Sequence, residues 1–323
     1  MIVQIEVNTR CNFKCWFCQN AHYEPTPNDV MPLSDFEAIL RKLKAHYGES
    51  LPLISFAAYN EPTLDPFFKE RLRLMTNLGF TYWWLSNGSL MSEDLIDFLI
   101  EEKPCITNLS LNLCSSEPEA LARMVEITPS AATRYLSTLR SALERLQESD
   151  LTVGIKVHGD GSEEHQKSYE AMKRWVQPLS VSVTKVGVMN RAGMLQGVGK
   201  SVLHSDGASL VCTTNYLSNI YIGVKGEVYL CCHDYYKTTA YANILTDDIE
   251  AFTKHAGRSS ALHILQEQFC KQCEFALDVR RHPAQALTFF IRPYYRLLPL
   301  SFRRRVTSLR HAVRTFLTKV VRT

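Results

Sequence analysis

Cys11, Cys15 and Cys18 stand in the run Cys-Asn-Phe-Lys-Cys-Trp-Phe-Cys, a spacing that offers three thiolates to one iron–sulfur cluster. A four-iron cluster has four corners, so one iron is left without a protein ligand and is open to a second molecule. The competing reading is a structural zinc knot, which wants four closed ligands; His22 is the residue to nominate as its fourth. Further along the chain lies a second constellation: Cys212, Gly226, Cys231, Cys232, Cys270 and Cys273. Four thiolates drawn from three separated segments can close a full cluster site, although a CxxC pair with two more cysteines reads equally well as a zinc ribbon. Cys232 adjoins Cys231 and is expected to point to the opposite face of the strand as a spare. Cys105 and Cys114 read as core thiols.

The elements that position the first triplet follow from the residues before it. Met1 to Asn8 alternates apolar Val3, Ile5 and Val7 with polar positions and predicts a strand. The cysteines then fall on the loop at its carboxyl end, where α/β folds place their chemistry. Leu53–Leu64 begins as a strand and ends in Asn60-Glu61-Pro62, and Thr81–Leu85 is a strand leading into Ser86-Asn87-Gly88. In Asn108–Leu113 the two-residue period puts Ser110 and Asn112 on one face. Helices are predicted over Ser34–His46, opened by a Ser34/Glu37 capping box, and over Ser92–Glu101, Ser130–Gln147 and Glu163–Trp175. Strands near Leu151–Val157 and Val181–Val188 complete about six βα units. Periodicity alone does not separate an open barrel from a doubly wound sheet.

The triplet CxxxCx(aromatic)C, with Phe17 as its aromatic, resembles that of the radical S-adenosylmethionine (SAM) enzymes. The resemblance implies a partial (β/α)6 TIM-like barrel over residues 1–195, with a [4Fe–4S] cluster held by Cys11, Cys15 and Cys18. It also implies that SAM occupies the open iron and supplies a 5′-deoxyadenosyl radical that takes a hydrogen from substrate. Asn60-Glu61-Pro62 is similar to the family's Gly-Gly-Glu-Pro, with Tyr59 and Asn60 in place of the glycines. Glu61 is carried over as the partner of the methionine amino group. Ser86 and Asn87 resemble the family's Thr-Asn-Gly, and Ser110 and Asn112 are ribose candidates; local backbone capping is the plain alternative for each.

The Cys-x13-Gly-x4-Cys spacing with a distant CxxC resembles the SPASM/twitch extension, in its shorter twitch form. That implies an auxiliary [4Fe–4S] cluster on Cys212, Cys231, Cys270 and Cys273 within residues 196–278. Ile220–Leu230 reads as a hairpin turning at Lys225-Gly226 that delivers Cys231. Arg191, in Asn190-Arg191-Ala192-Gly193, follows the last barrel strand and is a candidate contact for cofactor or substrate, or a buried structural arginine. His233 and Asp234 are candidate bases, or groups that hydrogen-bond the cluster. The nearest functional resemblance is to the twitch-containing dehydrogenase of aminocyclitol antibiotic biosynthesis. It implies an oxidoreductase acting on a sugar-like or lipid-linked alcohol, with the auxiliary cluster as electron acceptor and a flavodoxin- or ferredoxin-type electron donor. A peptide-modifying maturase is the second enzymatic reading, and a non-catalytic iron–sulfur or zinc protein is the alternative of another class.

With 323 residues, 46% hydrophobic, the chain can bury one large core with smaller appendages. No apolar leader with a cleavage site precedes Cys11, and no apolar run is long enough to span a bilayer. Ten cysteines in that setting predict metal or redox use in a reducing, cytoplasmic compartment. Eleven of the 36 Lys and Arg, and none of the 33 Asp and Glu, fall in 279–323, so an acidic body carries a basic tail. Phe302, Val306, Leu309, Val313, Phe316, Leu317 and Val320 recur at helical spacing among arginines, which predicts a basic amphipathic helix on the inner face of an anionic membrane. Packing on the acidic body and nucleic-acid binding are the alternatives, the latter disfavoured.

Overall fold

The computed structural model describes residues 1–282 except 24–28, 215, 216, 218, 250, 251 and 253–255; of 256–259 only the backbone is described. The expected amphipathic helix of the basic tail lies outside the described residues. Among the described residues no helix is long and apolar enough to cross a membrane.

Six strands alternate with helices along the first half of the chain. In order they are β1 (Ile2–Ile5), α1 (Gln19–His22), α2 (Leu33–Tyr47), β2 (Leu53–Phe56), α3 (Phe68–Asn77), β3 (Tyr82–Ser86), α4 (Glu93–Glu102), β4 (Ile106–Leu113), α5 (Pro118–Val125), α6 (Pro129–Gln147), β5 (Val153–Gly159), α7 (Glu163–Trp175) and β6 (Ser182–Gly187). All neighbouring pairs from β1 to β6 are parallel, and the strand order runs 1-2-3-4-5-6 without reversal. Right-handed crossovers in a sheet that never reverses put every helix on the same face. This settles what periodicity left open: the fold is a mixed α/β partial barrel of the TIM type, with its edge at β6.

In β1 and in β3 to β5 the alternate residues that face the helices are buried. Val3, Ile5 and Val7, then Tyr82 and Trp84, then Leu109, Leu111 and Leu113, then Val153, Ile155 and Val157 form this layer with apolar side chains of the surrounding helices. Burial of each such side chain stabilises by roughly 1.5–3 kcal/mol. The alternate residues, including Trp83, Asn108, Ser110, Asn112, Lys156 and His158, therefore occupy the inner face.

Three helices start on side-chain caps: Ser92, Thr128 and Ser162 accept from the backbone N–H groups of Leu95, Ala131 and His165. The expected Ser34 cap is not formed. Pro32, with φ −53°, occupies the N-cap position of α2, so the helix begins at Leu33 and Ser34 sits inside its first turn. Glu37 instead pairs with Arg41 one turn on, at 2.6 Å.

The remaining elements are β7 (Leu210–Cys212), β8 (Ile220–Ile222), β9 (Glu227–Tyr229), β10 (Ala242–Asn243), α8 (Ala256–Gln268) and β11 (Ala276–Asp278). β8 and β9 are the expected hairpin, turning through Gly226 at φ +84°. β8 pairs in parallel with β1, so the hairpin and β10 extend the barrel sheet beyond its first strand. β7 and β11 form a separate antiparallel pair, with Cys212 opposite Ala276.

Candidate active site

The three-cysteine loop is wound on successive turns. Cys18 N donates to the Cys15 carbonyl and Ala21 N to that of Cys18, which keeps Cys15 and Cys18 near one another. Lys14 N and Trp16 N donate to the carbonyls of Val125 and Met124, so the end of α5 fixes the loop's height above the sheet. Burial pushes the Cys11 thiol up to about 12 and raises Cys15 and Cys18 as well; for Cys15 the first cause is a hydrogen bond with Cys114. Three such thiols would not ionise together without a cation among them, a charge that iron would supply if Cys11, Cys15 and Cys18 held a cluster. Cys114, read from sequence as a core thiol, is buried as expected and also touches the cluster loop.

Glu61 joins three loops at the carboxyl ends of the strands. It is 1% exposed. Its Oε1 accepts from Thr63 N at 3.1 Å, Thr63 Oγ1 at 2.7 Å and Ser86 Oγ at 2.9 Å, and its Oε2 from Asn87 N at 2.6 Å. These four bonds match the acceptor capacity of a carboxylate, yet burial outweighs them and raises its pKa. The backbone is tied in too, with Glu61 N on the Arg10 carbonyl and Asn8 Nδ2 on the Glu61 carbonyl. Asn87 continues the network through its Nδ2 to Asn12 Oδ1 at 2.8 Å, and Tyr135 of α6 donates to its carbonyl. The structure thus brings Glu61, Ser86 and Asn87 together beside Cys11, with the Glu61 carboxylate engaged by its neighbours. The Asn60 amide is different, since its Oδ1 and Nδ2 are both buried with no hydrogen-bond partner among the described residues.

The inner face of β4 and β5 closes the other side. Phe17 stacks on His158 at 4.9 Å and 16°. His158 Nε2 lies 3.2 Å from Asn112 Oδ1, and Ser110 Oγ accepts from Asn108 Nδ2 at 2.6 Å. His158 is 8% exposed; burial, reinforced by the charge of Arg191, drives its pKa down to about 3. His158 was not singled out from sequence. Its place on the Ser110/Asn112 side of a period-two strand was the available signal.

Arg191 stands between this site and the second cysteine group. Arg191, Ala192 and Gly193 all have positive φ (50°, 58° and 85°), a strained run for two non-glycine residues. Asn190 imposes it: Ala192 N donates to its Oδ1, Gly193 N and Leu195 N donate to its carbonyl, and its Nδ2 donates to the carbonyls of Lys200 and Gln272. The guanidinium lies 5.6 Å over the Tyr59 ring, and its charge acts on Cys18, His158, Cys232 and His233.

Cys212, Cys231, Cys270 and Cys273 line one cavity with Ala192, His233 and apolar side chains including Leu265 and Phe269; Cys232 is absent from that lining. Cys270 and Cys273 are brought together by a single tight turn, with Cys273 N on the Cys270 carbonyl. Among the described residues no three His, Cys, Asp or Glu side chains meet closely enough to hold a single metal ion; a cluster takes its thiolates on separate irons. The donor chemistry of both cysteine groups fits iron–sulfur clusters on these terms. His22, the nominated zinc ligand, has its Nε2 on the Trp16 carbonyl.

His233 belongs to the second group, with Nδ1 4.0 Å from Cys273 Sγ and its backbone N–H 3.5 Å from Cys231 Sγ. Burial first, then Arg191, lowers its pKa to about 3. Asp234 is occupied within its own turn, one oxygen accepting from Thr238 N and Oγ1 and the other from Thr239 N and Oγ1. A surface groove of about 610 Å³ lies on the outer side between α3 and α4; Thr63 reaches its lining, but no cysteine does.

Residues 5–168 match the model of the radical SAM superfamily, and the chain belongs to that family. The family requires a [4Fe–4S] cluster, SAM, a reductant and a substrate. Two curated relatives match in part. One is the tungsten-containing aldehyde ferredoxin oxidoreductase cofactor-modifying protein of Pyrococcus furiosus, 30% identical over 30% of this chain and 26% of its own length. The other is an S-adenosylmethionine-dependent nucleotide dehydratase of a Thermoplasmatales archaeon, 36% identical over 28% of this chain and 30% of its own. The matches therefore span less than a third of either relative. Among solved structures, BtrN with AdoMet and 2-DOIA aligns over 86% of this chain and 93% of its own, with TM-score 0.54 and 17% identity. SuiB of Streptococcus suis bound to its precursor peptide SuiA aligns over 80% and 65%, with TM-score 0.61 and 13% identity. The enzyme anSMEcpe with bound AdoMet aligns over 92% and 98%, with TM-score 0.59 and 16% identity. At these identities the likeness is one of fold.

Proposed function

We propose that this radical SAM enzyme is an oxidoreductase that converts a secondary alcohol of a sugar-like or lipid-linked small molecule to a carbonyl. In this reading Cys11, Cys15 and Cys18 hold the SAM-binding [4Fe–4S] cluster, and Cys212, Cys231, Cys270 and Cys273 hold an auxiliary [4Fe–4S] cluster. A flavodoxin- or ferredoxin-type protein is the electron donor. The observation that carries the reading is the single cavity shared by those four cysteines, placed behind Arg191 and Tyr59 from the three-cysteine loop. Abstraction of one hydrogen removes one electron, so net oxidation needs a nearby one-electron acceptor.

When bound, the first cluster and SAM supply a 5′-deoxyadenosyl radical that takes a hydrogen atom from carbon. The chain's own residues prepare for that event. Phe17, His158 and Asn112 form one wall of the mouth, with Ser110 and Asn112 offered to ribose hydroxyls. Glu61 holds Ser86 and Asn87 in place beside Cys11 and presents the Asn60 amide. Arg191 places a fixed positive charge between the two sulfur sites, favouring reduction of either. His233 is set to hydrogen-bond cluster sulfur, not to face the barrel mouth.

Incubation with carbon-deuterated alcohols under reducing, anaerobic conditions tests the reading: deuterium should appear in 5′-deoxyadenosine with one ketone per transfer. Deuterium transfer without a two-electron oxidised product would remove the oxidoreductase assignment. A peptide-modifying reading is supported by the likeness to SuiB bound to its precursor peptide, and a short peptide carrying deuterium at Cα and Cβ is the matching probe.

A further inference from the structure

The inner face of the barrel holds an amine that the mechanism above does not use. Lys156 lies in the middle of β5, on the face opposite Val153, Ile155 and Val157. It is in register with Asn112 of β4, and its Nζ reaches past β4 to lie 5.6 Å from the centroid of the Trp83 ring on β3. The amine therefore leans across the lumen. His158, the next residue on the same face, is about 6.6 Å further along the strand and stacks on Phe17 of the cysteine loop. Lys156 is thus one step below the mouth, on the inner face of the barrel.

Among the described residues Lys156 makes no ion pair and no hydrogen bond. The acids around the inner face are already committed: Glu6 to Lys237 at 2.8 Å, and Glu61 to Thr63, Ser86 and Asn87. The other titratable groups there, His158 and Arg191, offer no negative charge. A half-buried amine without a counter-ion costs stability and does nothing for the sheet that an apolar residue would not do better. Burial accordingly pulls its pKa below the ordinary lysine value.

We propose that Lys156 is the catalytic base that accepts the hydroxyl proton of the substrate alcohol. The inference rests on the dehydrogenase reading. The carbinol C–H bond breaks and its hydrogen atom goes to the 5′-deoxyadenosyl radical. The O–H proton goes to the neutral Nζ, which becomes an ammonium. One electron passes to the oxidised auxiliary [4Fe–4S] cluster, and the C–O bond becomes C=O. The substrate loses two hydrogens and two electrons in all.

The test uses the holoenzyme with both clusters loaded. Trace acetylation with acetic anhydride from about pH 6 to 11, read lysine by lysine by mass spectrometry, should give Lys156 a lower midpoint than exposed Lys167 and Lys173. A midpoint at or above theirs overturns the proposal. With a carbon-deuterated cyclic polyol as probe, Lys156→Ala should lower ketone formation about 100-fold or more. Added methylamine and ethylamine should restore part of it, more so as amine basicity rises. Lys156→Arg should stay as low as Lys156→Ala, because a guanidinium remains protonated. Recovery in Lys156→Arg, or undiminished turnover in Lys156→Ala, overturns the base role while leaving the dehydrogenase reading intact. Absence of deuterium transfer from every alcohol in the wild-type enzyme removes that reading, and the base role with it.

Discussion

The Tyr59 hydroxyl donates to the Cys232 carbonyl at 2.7 Å, while the Tyr59 carbonyl accepts from Asn20, two residues beyond Cys18. One residue, through its hydroxyl and its main-chain carbonyl, thereby joins the loops of both cysteine groups, and Arg191 lies over its ring. Replacing Arg191 with Met removes a charge that acts on Cys18, His158, Cys232 and His233 alike. Both clusters should become harder to reduce, by about 1–2 kcal/mol each at the effective dielectric of a protein interior. Redox titration followed by electron paramagnetic resonance reads this directly. Tyr59→Phe keeps the charge and should leave the potentials nearer wild type, while losing about 1 kcal/mol of stability with the hydroxyl bond. Equal shifts in the two variants would mean that Arg191 acts by packing and not by charge.

The second cysteine group makes a separate prediction, because Cys232 does not line the cavity that Cys212, Cys231, Cys270 and Cys273 share. Anaerobic reconstitution should load about eight irons on the wild-type chain and about eight on Cys232→Ala. Alanine at any of the other four should leave about four, with the spectrum of the SAM-binding cluster intact. Iron and sulfide analysis with Mössbauer spectroscopy would check it. About four irons in Cys232→Ala would assign that thiol as a ligand.

Much of this arrangement was legible because the signals were local. The strand before Cys11, the Lys225-Gly226 hairpin and the βα alternation rest on short-range periodicity and turn chemistry. The strand order of the sheet was not legible, since it depends on which strands pair, and β8 joining β1 in parallel is a pairing across some 215 residues. Nor could sequence show that Asp234 is held by Thr238 and Thr239, or that the Glu61 carboxylate is shared among three neighbours. Those partners are fixed by tertiary geometry. The Ser34 cap failed for a local reason, the proline two residues before it.

Gly193 and Gly197 both have positive φ, 85° and 75°, but their surroundings differ. A Cβ on Gly193 would stand 2.4 Å from Gln272 Oε1 and 2.6 Å from Gln272 Cβ, in the turn that carries Cys270 and Cys273, whereas one on Gly197 would meet nothing within 4 Å. Gly197→Ala should cost only the backbone strain, about 1 kcal/mol. Gly193→Ala adds a collision that must displace the cysteine turn. It should therefore lower iron loading at the second site toward about four per chain, while Gly197→Ala keeps the wild-type content. Matched iron contents and melting temperatures for the two variants would show that the 190–193 loop does not set the geometry of the CxxC turn.

His158 gives the protein a specific sensitivity to acid. Its ordinary value of 6.5 falls to about 3 in the folded state through burial, then the charges of Arg191, Lys156 and His165. Between those values the unfolded chain binds a proton that the folded chain refuses. Its contribution to stability is therefore complete above about pH 6.5 and is lost as pH falls toward 3, at up to about 1.4 kcal/mol per pH unit. His158→Gln retains a polar partner for Asn112 without a titrating group. Urea unfolding of the metal-free, reduced protein at about pH 7, 6 and 5 should show stability falling more steeply for wild type than for the variant, by about 1 kcal/mol per unit below pH 6. Parallel pH profiles would mean that the imidazole opens to solvent and takes up its proton without unfolding, so that the Phe17–His158 stack is not a fixed wall of the site.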